Sequence, residues 1–124
     1  MSKTMMLRKL IKEELQAVPG ATHYRQATSS TGYPYKTFVL DSINYLDSTR
    51  DDYDLVVDIW DRSPDPGSVE AIADQVERLF DVANIPRPPI FPTFFRDGRN
   101  LIDDPDKTLQ HIQLHFIVQL YEEV

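Results

Sequence analysis

Two segments of the chain carry apolar residues at helical spacing. In residues 5–18 every third or fourth position is apolar and the charged residues fall on the other side, which predicts an amphipathic helix. Thr4 is the expected N-cap of this helix. Pro19-Gly20 should end it, because proline cannot continue a helix and glycine suits a left-handed cap. Residues 67–83 repeat the pattern and predict a second amphipathic helix.

Outside these helices, apolar residues alternate with polar ones, as is typical of strands. THYRQ (22–26) predicts a short strand, and PYKTFVLDS (34–42) and YDLVVDIWD (53–61) predict two longer ones. In the third segment Leu55, Val57 and Ile59 face one side. The other side holds Asp54, Val56, Asp58 and Trp60. Because this second side mixes aspartates with apolar residues, we expect another surface, such as a neighbouring subunit, to cover it.

The C-terminal half combines a proline-rich segment with a turn marked by glycine. IPRPPIFP (85–92) has four prolines in eight residues and predicts an extended, polyproline-like connector. In TFFRDGRNLI (93–102), Asp97-Gly98 separates two alternating runs and predicts a two-residue hairpin turn. DDPDK (103–107) predicts the next turn, and a long final strand should follow over 108–121.

The final strand contains His111 and His115, whose spacing would bring two imidazoles together on a helix. Residues 112, 114, 116, 118 and 120 are instead all apolar, and 111, 113, 115 and 119 are polar, which is a period of two and indicates a strand. At ~3.4 Å per residue the two histidines lie roughly 13 Å apart on one strand face, whereas zinc–nitrogen bonds are about 2 Å long. The pair therefore cannot share a metal ion. We expect His111, Gln113 and His115 to line a solvated or interfacial side of the sheet.

The predicted elements favour an α+β fold. Sequential strands joined by short turns form a mainly antiparallel sheet, on which the two amphipathic helices pack. With 124 residues, 41% of them hydrophobic and 27% charged, the chain is expected to form a single globular domain over 1–124.

Composition and charge narrow the classes of function. The net charge of −7 disfavours a general affinity for nucleic-acid phosphates, which require a basic surface. The absence of cysteine removes disulfides, thiol nucleophiles and thiolate metal sites. No apolar run approaches the roughly 20 residues that span a bilayer, and lysines and glutamates interrupt the N-terminal segment, so we expect neither a membrane anchor nor a signal peptide.

No residue pattern indicates catalysis. The serines lie in predicted loops or at a helix cap, and none has the Gly-x-Ser-x-Gly surroundings of a hydrolase nucleophile. Paired carboxylates such as Asp51-Asp52 and Asp103-Asp104 sit beside turn residues, where aspartate is favoured for local hydrogen bonds. Their spacing also misses the calcium-loop pattern. We expect no enzyme activity, no cofactor and no metal.

The predicted hairpin turn places Arg96 and Arg99 directly opposite each other. Like charges opposed across strands destabilise a hairpin by up to about 1 kcal/mol. Two interpretations stay open. Asp97, Asp103 or Asp104 neutralises the arginines within the chain, or the hairpin tip reaches an acidic surface on a neighbouring subunit.

The order and spacing of several segments form a wider pattern. It comprises an N-terminal helix ending in VPG, a YPYKTFVLD strand, DYDLVVDIWD leading into SVEAIADQVERLFD, and the C-terminal FFRDGRNLIDDPDKTLQHIQLHFIVQLYEE. This pattern resembles the tail terminator, or tail-to-head joining, proteins of long-tailed bacteriophages, which have the lambda-type terminator fold. The resemblance covers most of the chain and rests on order and spacing, since no short motif defines it.

The resemblance implies a structural virion protein of the phage neck, assembled in the host cytoplasm. Such a protein forms a hexameric ring on the tail tube, ends tube polymerisation and docks the tail to the head connector. Its partners are further copies of itself, the tail tube protein and the connector or stopper protein. DNA passes through the ring without specific binding. The resemblance implies no enzyme activity, no cofactor and no membrane.

A ring requires a heterologous interface, in which two different patches of each subunit are complementary. The candidate basic patch is Arg96 with Arg99. The candidate acidic region that would complement it contains Asp51, Asp52, Asp54 and Asp58. Further candidates lie on the mixed side of the sheet, at Trp60, His111, Gln113 and His115.

Three alternatives belong to other classes. One is a different head–tail connector or head-completion component, which shares the size and the lack of chemistry. Another is a small non-enzymatic adaptor that binds a partner through RPPIFP, whose prolines have P-x-x-P spacing. The third is a small enzyme that uses His111 or His115.

Overall fold

A computed structural model describes residues 2–28, 30–45 and 50–122. Its elements, in chain order, are α1 (Lys3–Leu15), β1 (Ala21–Tyr24), β2 (Tyr35–Tyr45), β3 (Arg50–Arg62), α2 (Gly67–Leu79), β4 (Ala83–Asn84), β5 (Ile90–Ile102) and β6 (Leu109–Glu122). The six strands form one sheet in the order β1-β2-β3-β6-β5-β4. Every neighbouring pair is antiparallel except β1 and β2, which are parallel. The α+β prediction is confirmed.

Both helices pack on one face of the sheet. The apolar side chains of α1 and α2 join those of β2, β3, β5 and β6 in one buried cluster. Along β3 and β6, buried residues alternate with partly exposed ones, so each strand presents one side to the helices and the other to the outside. We call the uncovered side the outer sheet face.

The start of α1 differs from the prediction. Ser2 is the N-cap, and its Oγ accepts a hydrogen bond from the Met5 N–H at 3.2 Å. Thr4 lies within the first turn, where its hydroxyl instead lies 2.9 Å from the Tyr53 hydroxyl of β3. The prediction was wrong because both residues suit a cap and only the tertiary contact with Tyr53 distinguishes them.

A buried lysine forms hydrogen bonds with the turn that follows α1. Lys36 of β2 is fully buried, and its Nζ donates hydrogen bonds of 2.5 to 3.1 Å to the carbonyls of Val18, Pro19 and Gly20. Burial lowers the pKa of Lys36 to about 8. The ammonium therefore supplies three donors to backbone carbonyls of the turn that follows α1.

The predicted hairpin turn at Asp97-Gly98 is wrong. Residues on both sides of it belong to one strand, β5, and the register with β6 moves from Arg96 opposite Phe116 to Gly98 opposite His115. Asp97 is therefore the extra residue of a β-bulge. Gly98 has φ of 152°, and glycine serves a bulge for the same conformational reason that it serves a turn.

The turn between β5 and β6 lies where DDPDK predicts it. The side chain of Asp104 accepts a hydrogen bond from the Asp106 N–H, and that of Asp106 accepts one from the Thr108 N–H, both at 2.9 Å. β6 begins at Leu109, so the long final strand is confirmed.

The proline-rich segment is not extended throughout. The backbone groups of Arg87 and Ile90 exchange two hydrogen bonds of 2.9 and 3.0 Å, which closes a tight turn with Pro88 and Pro89 at its exposed tip. The polyproline-like prediction is therefore wrong for these four residues, because reciprocal backbone hydrogen bonds are incompatible with that helix.

Candidate functional site

The outer sheet face brings together most of the residues predicted at an interface. β3 contributes Asp52, Asp54, Asp58 and Trp60, and β6 contributes His111, Gln113 and His115. The register sets Trp60 opposite His111 and Asp58 opposite Gln113. Strand alternation, as read from the sequence, predicts this shared face correctly.

A hydrogen-bond chain crosses the centre of this face. The Nε2 of His115 lies 2.9 Å from the Gln113 side-chain oxygen, and the Gln113 amide donates to Asp58 Oδ1 at 3.1 Å. His111 Nε2 lies 2.7 Å from the same carboxylate oxygen. These hydrogen bonds orient four polar side chains across two strands and give the face a fixed pattern of donors and acceptors.

An aromatic stack continues from the histidine toward the edge of the sheet. The rings of Trp60 and His111 are stacked with centroids 4.3 Å apart, and Tyr35 stacks on Trp60 at 5.0 Å. Tyr33 lies 5.4 Å beyond Tyr35. Rings at these distances contribute roughly 0.5–1.5 kcal/mol per pair beyond their burial. The stack is therefore a rigid, partly exposed aromatic surface.

An open groove of about 620 Å³ lies beside the aromatic stack. Its walls are the loop residues 25–28, Thr31 and the rings of Tyr33, Tyr35 and Trp60. Burial, followed by the neighbouring Tyr33, raises the pKa of Tyr35, so its hydroxyl stays a donor over the physiological range. The groove offers aromatic surface with hydroxyl groups and holds no cluster of ionisable side chains suited to catalysis among the residues that line it.

Two aspartates face each other farther along the outer sheet face. Asp41 of β2 is directly opposite Asp54 of β3, and both side chains are exposed. Their neighbours across the sheet are Ile117 and Phe95, which are half-buried. In the part of the chain that the structure describes, neither carboxylate forms an ion pair. Opposed like charges destabilise a strand pair, so the pair of Asp41 and Asp54 slightly destabilises the isolated chain.

Arg96 and Arg99 do not lie at a hairpin tip, and none of the three predicted neutralising aspartates is among their ion-pair partners in the described residues. Both reach α2, where Arg96 Nη2 is 3.0 Å from Glu77 Oε2 and Arg99 Nη1 is 2.7 Å from Glu77 Oε1. Arg99 also pairs with Asp74 at 2.7 Å and lowers the pKa of that carboxyl through the hydrogen bond. The arginines hold α2 to β5 within the chain, and their predicted role at a subunit interface stays a prediction.

Asp51 is separate from the other predicted acidic residues. It points to the helix-covered side, is 3% exposed, and pairs with Lys3 of α1. Its Oδ1 accepts no hydrogen bond from a described residue. Alternation along β3 explains the separation, since residues 51 and 52 face opposite sides of the sheet.

The described residues contain no group of three or more histidine, aspartate or glutamate side chains arranged to hold a metal ion. His111 and His115 lie on one strand, four residues apart and on the same face, as the period of two predicts. Among the described helices, neither is long and apolar enough to cross a membrane.

Two parts of this arrangement were not predicted. Tyr33 and Tyr35 extend the aromatic surface. The signal for them was their spacing of two, since Tyr35 is opposite Trp60 and Tyr33 lies just before β2. The pairing of α2 with the arginines of β5 was the other. Asp74 and Glu77 lie three residues apart on the side of this helix that the sequence predicts to be solvent-exposed, which indicates that the helix can pair with cations but not which cations these are.

Comparisons with known proteins identify a shared fold. No family model matches the sequence, and no curated protein is similar to it. A solved chain from the virion of a native gene transfer agent particle is similar with a TM-score of 0.76. The two chains share 13% sequence identity, and the match covers 90% of this chain and 91% of the other. The similarity shows that the two chains have the same fold over nearly their whole lengths.

Proposed function

We propose that this protein is a structural component of a phage-like virion. The observation that carries the proposal is the fold shared with a virion chain over 90% of this protein. We assign the protein no enzyme activity and no cofactor.

Within the virion, we place the protein at the end of the tail tube, as a tail terminator. The sequence pattern resembles that family, and the structure is compatible with ring formation because one whole sheet face has no helix over it. A mixed surface of aromatic, aliphatic and acidic side chains suits contact with another protein better than contact with water alone. In this role six copies form the ring, which ends tube growth and docks the tail to the head connector.

The proposed partners follow from that position. Further copies of the chain lie beside it in the ring, the tail tube protein lies below, and the connector or stopper protein lies above. DNA passes through the lumen without specific recognition. The protein belongs to the virion neck after assembly in the host cytoplasm, and it contacts no membrane.

Tube growth in a purified system tests the proposal. Tail tube protein is polymerised with and without this chain, and tube lengths are measured by electron microscopy. A terminator shortens the tubes, narrows their length distribution and is visible as a ring at one end. Unchanged tubes, together with heads that lose DNA when the gene is deleted, would instead identify a head-completion component.

A matched pair of variants tests whether the outer sheet face takes part. Ile117→Lys places a charge on that face, and Val82→Lys places the same charge at a position that is 68% exposed and outside the sheet. We expect the first variant to lose tube termination while remaining folded, and the second to retain it. Equal activity of the two variants would remove the outer sheet face from the proposal.

A further inference from the structure

A second charged surface lies on the opposite side of the molecule. It is a groove of about 410 Å³ between α1 and the β1–β2 edge of the sheet, and we call it the α1 groove. Tyr24 and Phe38 provide its apolar lining, and the residues of α1 that border it are Met5, Arg8, Lys9 and Lys12. The groove combines apolar surface with a cationic rim.

Among the described residues, the cations in and beside this groove have no acidic partner. Within residues 2–28, 30–45 and 50–122, neither Arg8, Lys9, Lys12 nor Arg25 forms an ion pair. The guanidinium carbons of Arg8 and Arg25 lie 4.5 and 5.5 Å from the centre of the Tyr24 ring. Cation–π contacts of this kind orient an arginine without neutralising it. The positive charge is therefore concentrated, positioned and unpaired in a chain whose net charge is −7.

The outer sheet face carries the complementary feature. Asp41 and Asp54 face each other there with no cation from any described residue, beside the half-buried side chains of Val56 and Ile117. We call these four residues the acidic patch. The α1 groove and the acidic patch lie on opposite sides of the sheet, because α1 packs on the covered face. They cannot meet within one chain.

We propose that the α1 groove of one copy binds the acidic patch of the next copy. This inference rests on the proposed ring and names the two surfaces of its heterologous interface. The two surfaces carry opposite charges, and both contain apolar side chains. Patches on opposite sides of a subunit are what head-to-tail association requires, and such association closes into a ring when the rotation per copy allows it. The lysines remove the repulsion between Asp41 and Asp54, and the aspartates neutralise the groove.

A second copy fits these observations better than a nucleic acid does. A nucleic acid would neutralise the α1 groove and leave the opposed aspartates as they are. It would also approach a chain with seven net negative charges, which weakens phosphate binding. One partner, the chain itself, satisfies both surfaces at once.

Cross-linking tests the interface directly, because the chain has no cysteine of its own. Lys9→Cys and Asp54→Cys are combined in one full-length chain, which is treated with a short bis-maleimide at high protein concentration. A heterologous contact joins unlike positions, so we expect a ladder of dimers, trimers and larger products on denaturing gels. Chains with only one of the two substitutions should give no product beyond a dimer.

A control and a charge swap make the result specific. Lys107→Cys with Asp54→Cys moves the first thiol to the exposed β5–β6 turn and should give no ladder. In the original thiol pair, Lys12→Glu should reduce the ladder at least tenfold. Adding Asp41→Lys to that chain should restore it, because the charges are then exchanged across the same contact.

Several outcomes overturn the inference. A ladder equally strong with the Lys107 control, a dimer from Lys9→Cys alone as the main product, or no ladder at all would each do so. Binding of a labelled DNA duplex at physiological salt that Lys12→Glu abolishes, without any ladder, would assign the groove to nucleic acid. Tube termination by a chain that gives no ladder would leave the proposed function standing and reject only this interface.

Discussion

The two faces of the sheet treat charge in opposite ways. On the helix-covered face, Lys36, Asp51 and Glu77 are buried, and each has a partner of opposite charge or a set of carbonyls within the chain. On the outer sheet face, Asp41 and Asp54 are exposed and have no cation among the described residues. The buried charges of the covered face have partners within one chain, whereas Asp41 and Asp54 of the outer face have none among the described residues.

This difference shows where a partner is to be sought. A buried charge without a partner costs several kcal/mol, so folding itself selects partners for it inside the chain. An exposed charge is stabilised by water and can remain unpaired at little cost. Two opposed aspartates with no cation among the described residues, and a groove of cations with no acid among them, therefore mark surfaces whose arrangement folding alone does not explain.

The largest expected difference in stability is between substitutions of two neighbouring residues of β6, Phe116 and Ile117. Phe116 is 1% exposed on the covered face, where its ring contacts Phe80, and Ile117 lies on the outer sheet face. Phe116→Ala should lower the free energy of unfolding by about 3–5 kcal/mol, because it removes an aromatic core side chain. Ile117→Ala should lower it by about 1 kcal/mol or less. Urea unfolding of both variants measures the contrast.

Similar losses for the two variants would contradict the comparison, since they would show that the isolated chain already buries both faces. The midpoint and the slope of each unfolding curve should be fitted separately. A change of midpoint at constant slope reports stability, whereas a change of slope reports a different unfolded or native state.

The second prediction concerns Lys36 and pH. Burial lowers its pKa from the ordinary 10.5 to about 8, so between these values the unfolded chain binds more protons than the folded chain. The free energy of unfolding then rises with pH across this window, by an amount on the order of 3 kcal/mol. We expect the unfolding free energy of the wild type, measured relative to that of Lys36→Met, to rise by that amount from pH 8 to pH 10.5.

The comparison with Lys36→Met cancels groups that both chains share, including Tyr35. A difference that shrinks above pH 8 would mean that the three carbonyl hydrogen bonds outweigh desolvation and hold the ammonium charged. A titration of the Lys36 Nζ chemical shift in the wild-type chain distinguishes the two cases without any substitution.

The sequence was sufficient to predict the elements that depend on period. The alternation in residues 111–120 predicted β6 and excluded a shared metal for His111 and His115, because a period of two has a single structural meaning over ten residues. Both helices and the faces of β3 were predictable for the same reason.

Features that depend on a distant partner could not be predicted in this way. Asp97-Gly98 suits a turn and a bulge equally, and only the register with β6 decides between them. Arg96 and Arg99 were expected near Asp97, Asp103 or Asp104, whereas their partner Glu77 lies on α2. The acidic side of α2 indicates that the helix can pair with cations, and only tertiary packing shows that these cations are Arg96 and Arg99.

The third prediction tests the partners of these arginines. Glu77 is 8% exposed and pairs with both Arg96 and Arg99. Glu77→Gln should lower the free energy of unfolding by about 1–2 kcal/mol, less than a fully buried pair would lose, because Arg96 is half exposed. Glu70→Gln, on the solvent side of the same helix, should change it by less than about 0.5 kcal/mol. Thermal unfolding of the two variants measures the difference, and equal effects would show that the arginines do not depend on Glu77.

The smallest effects should differ in sign between two aspartates of β3. Asp58 accepts hydrogen bonds from His111 and Gln113, so Asp58→Asn should lower the free energy of unfolding by about 0.5–1 kcal/mol. Asp54 only opposes Asp41, so Asp54→Asn should raise it by a few tenths of a kcal/mol, up to about 0.5. Unfolding in low salt measures both changes on the isolated chain. The gain from Asp54→Asn should vanish near 1 M salt, where screening acts within about 3 Å. A loss of stability from Asp54→Asn would show that this carboxylate is already satisfied in the single chain, and the distinction between the two faces would then fail at the residue where it is sharpest.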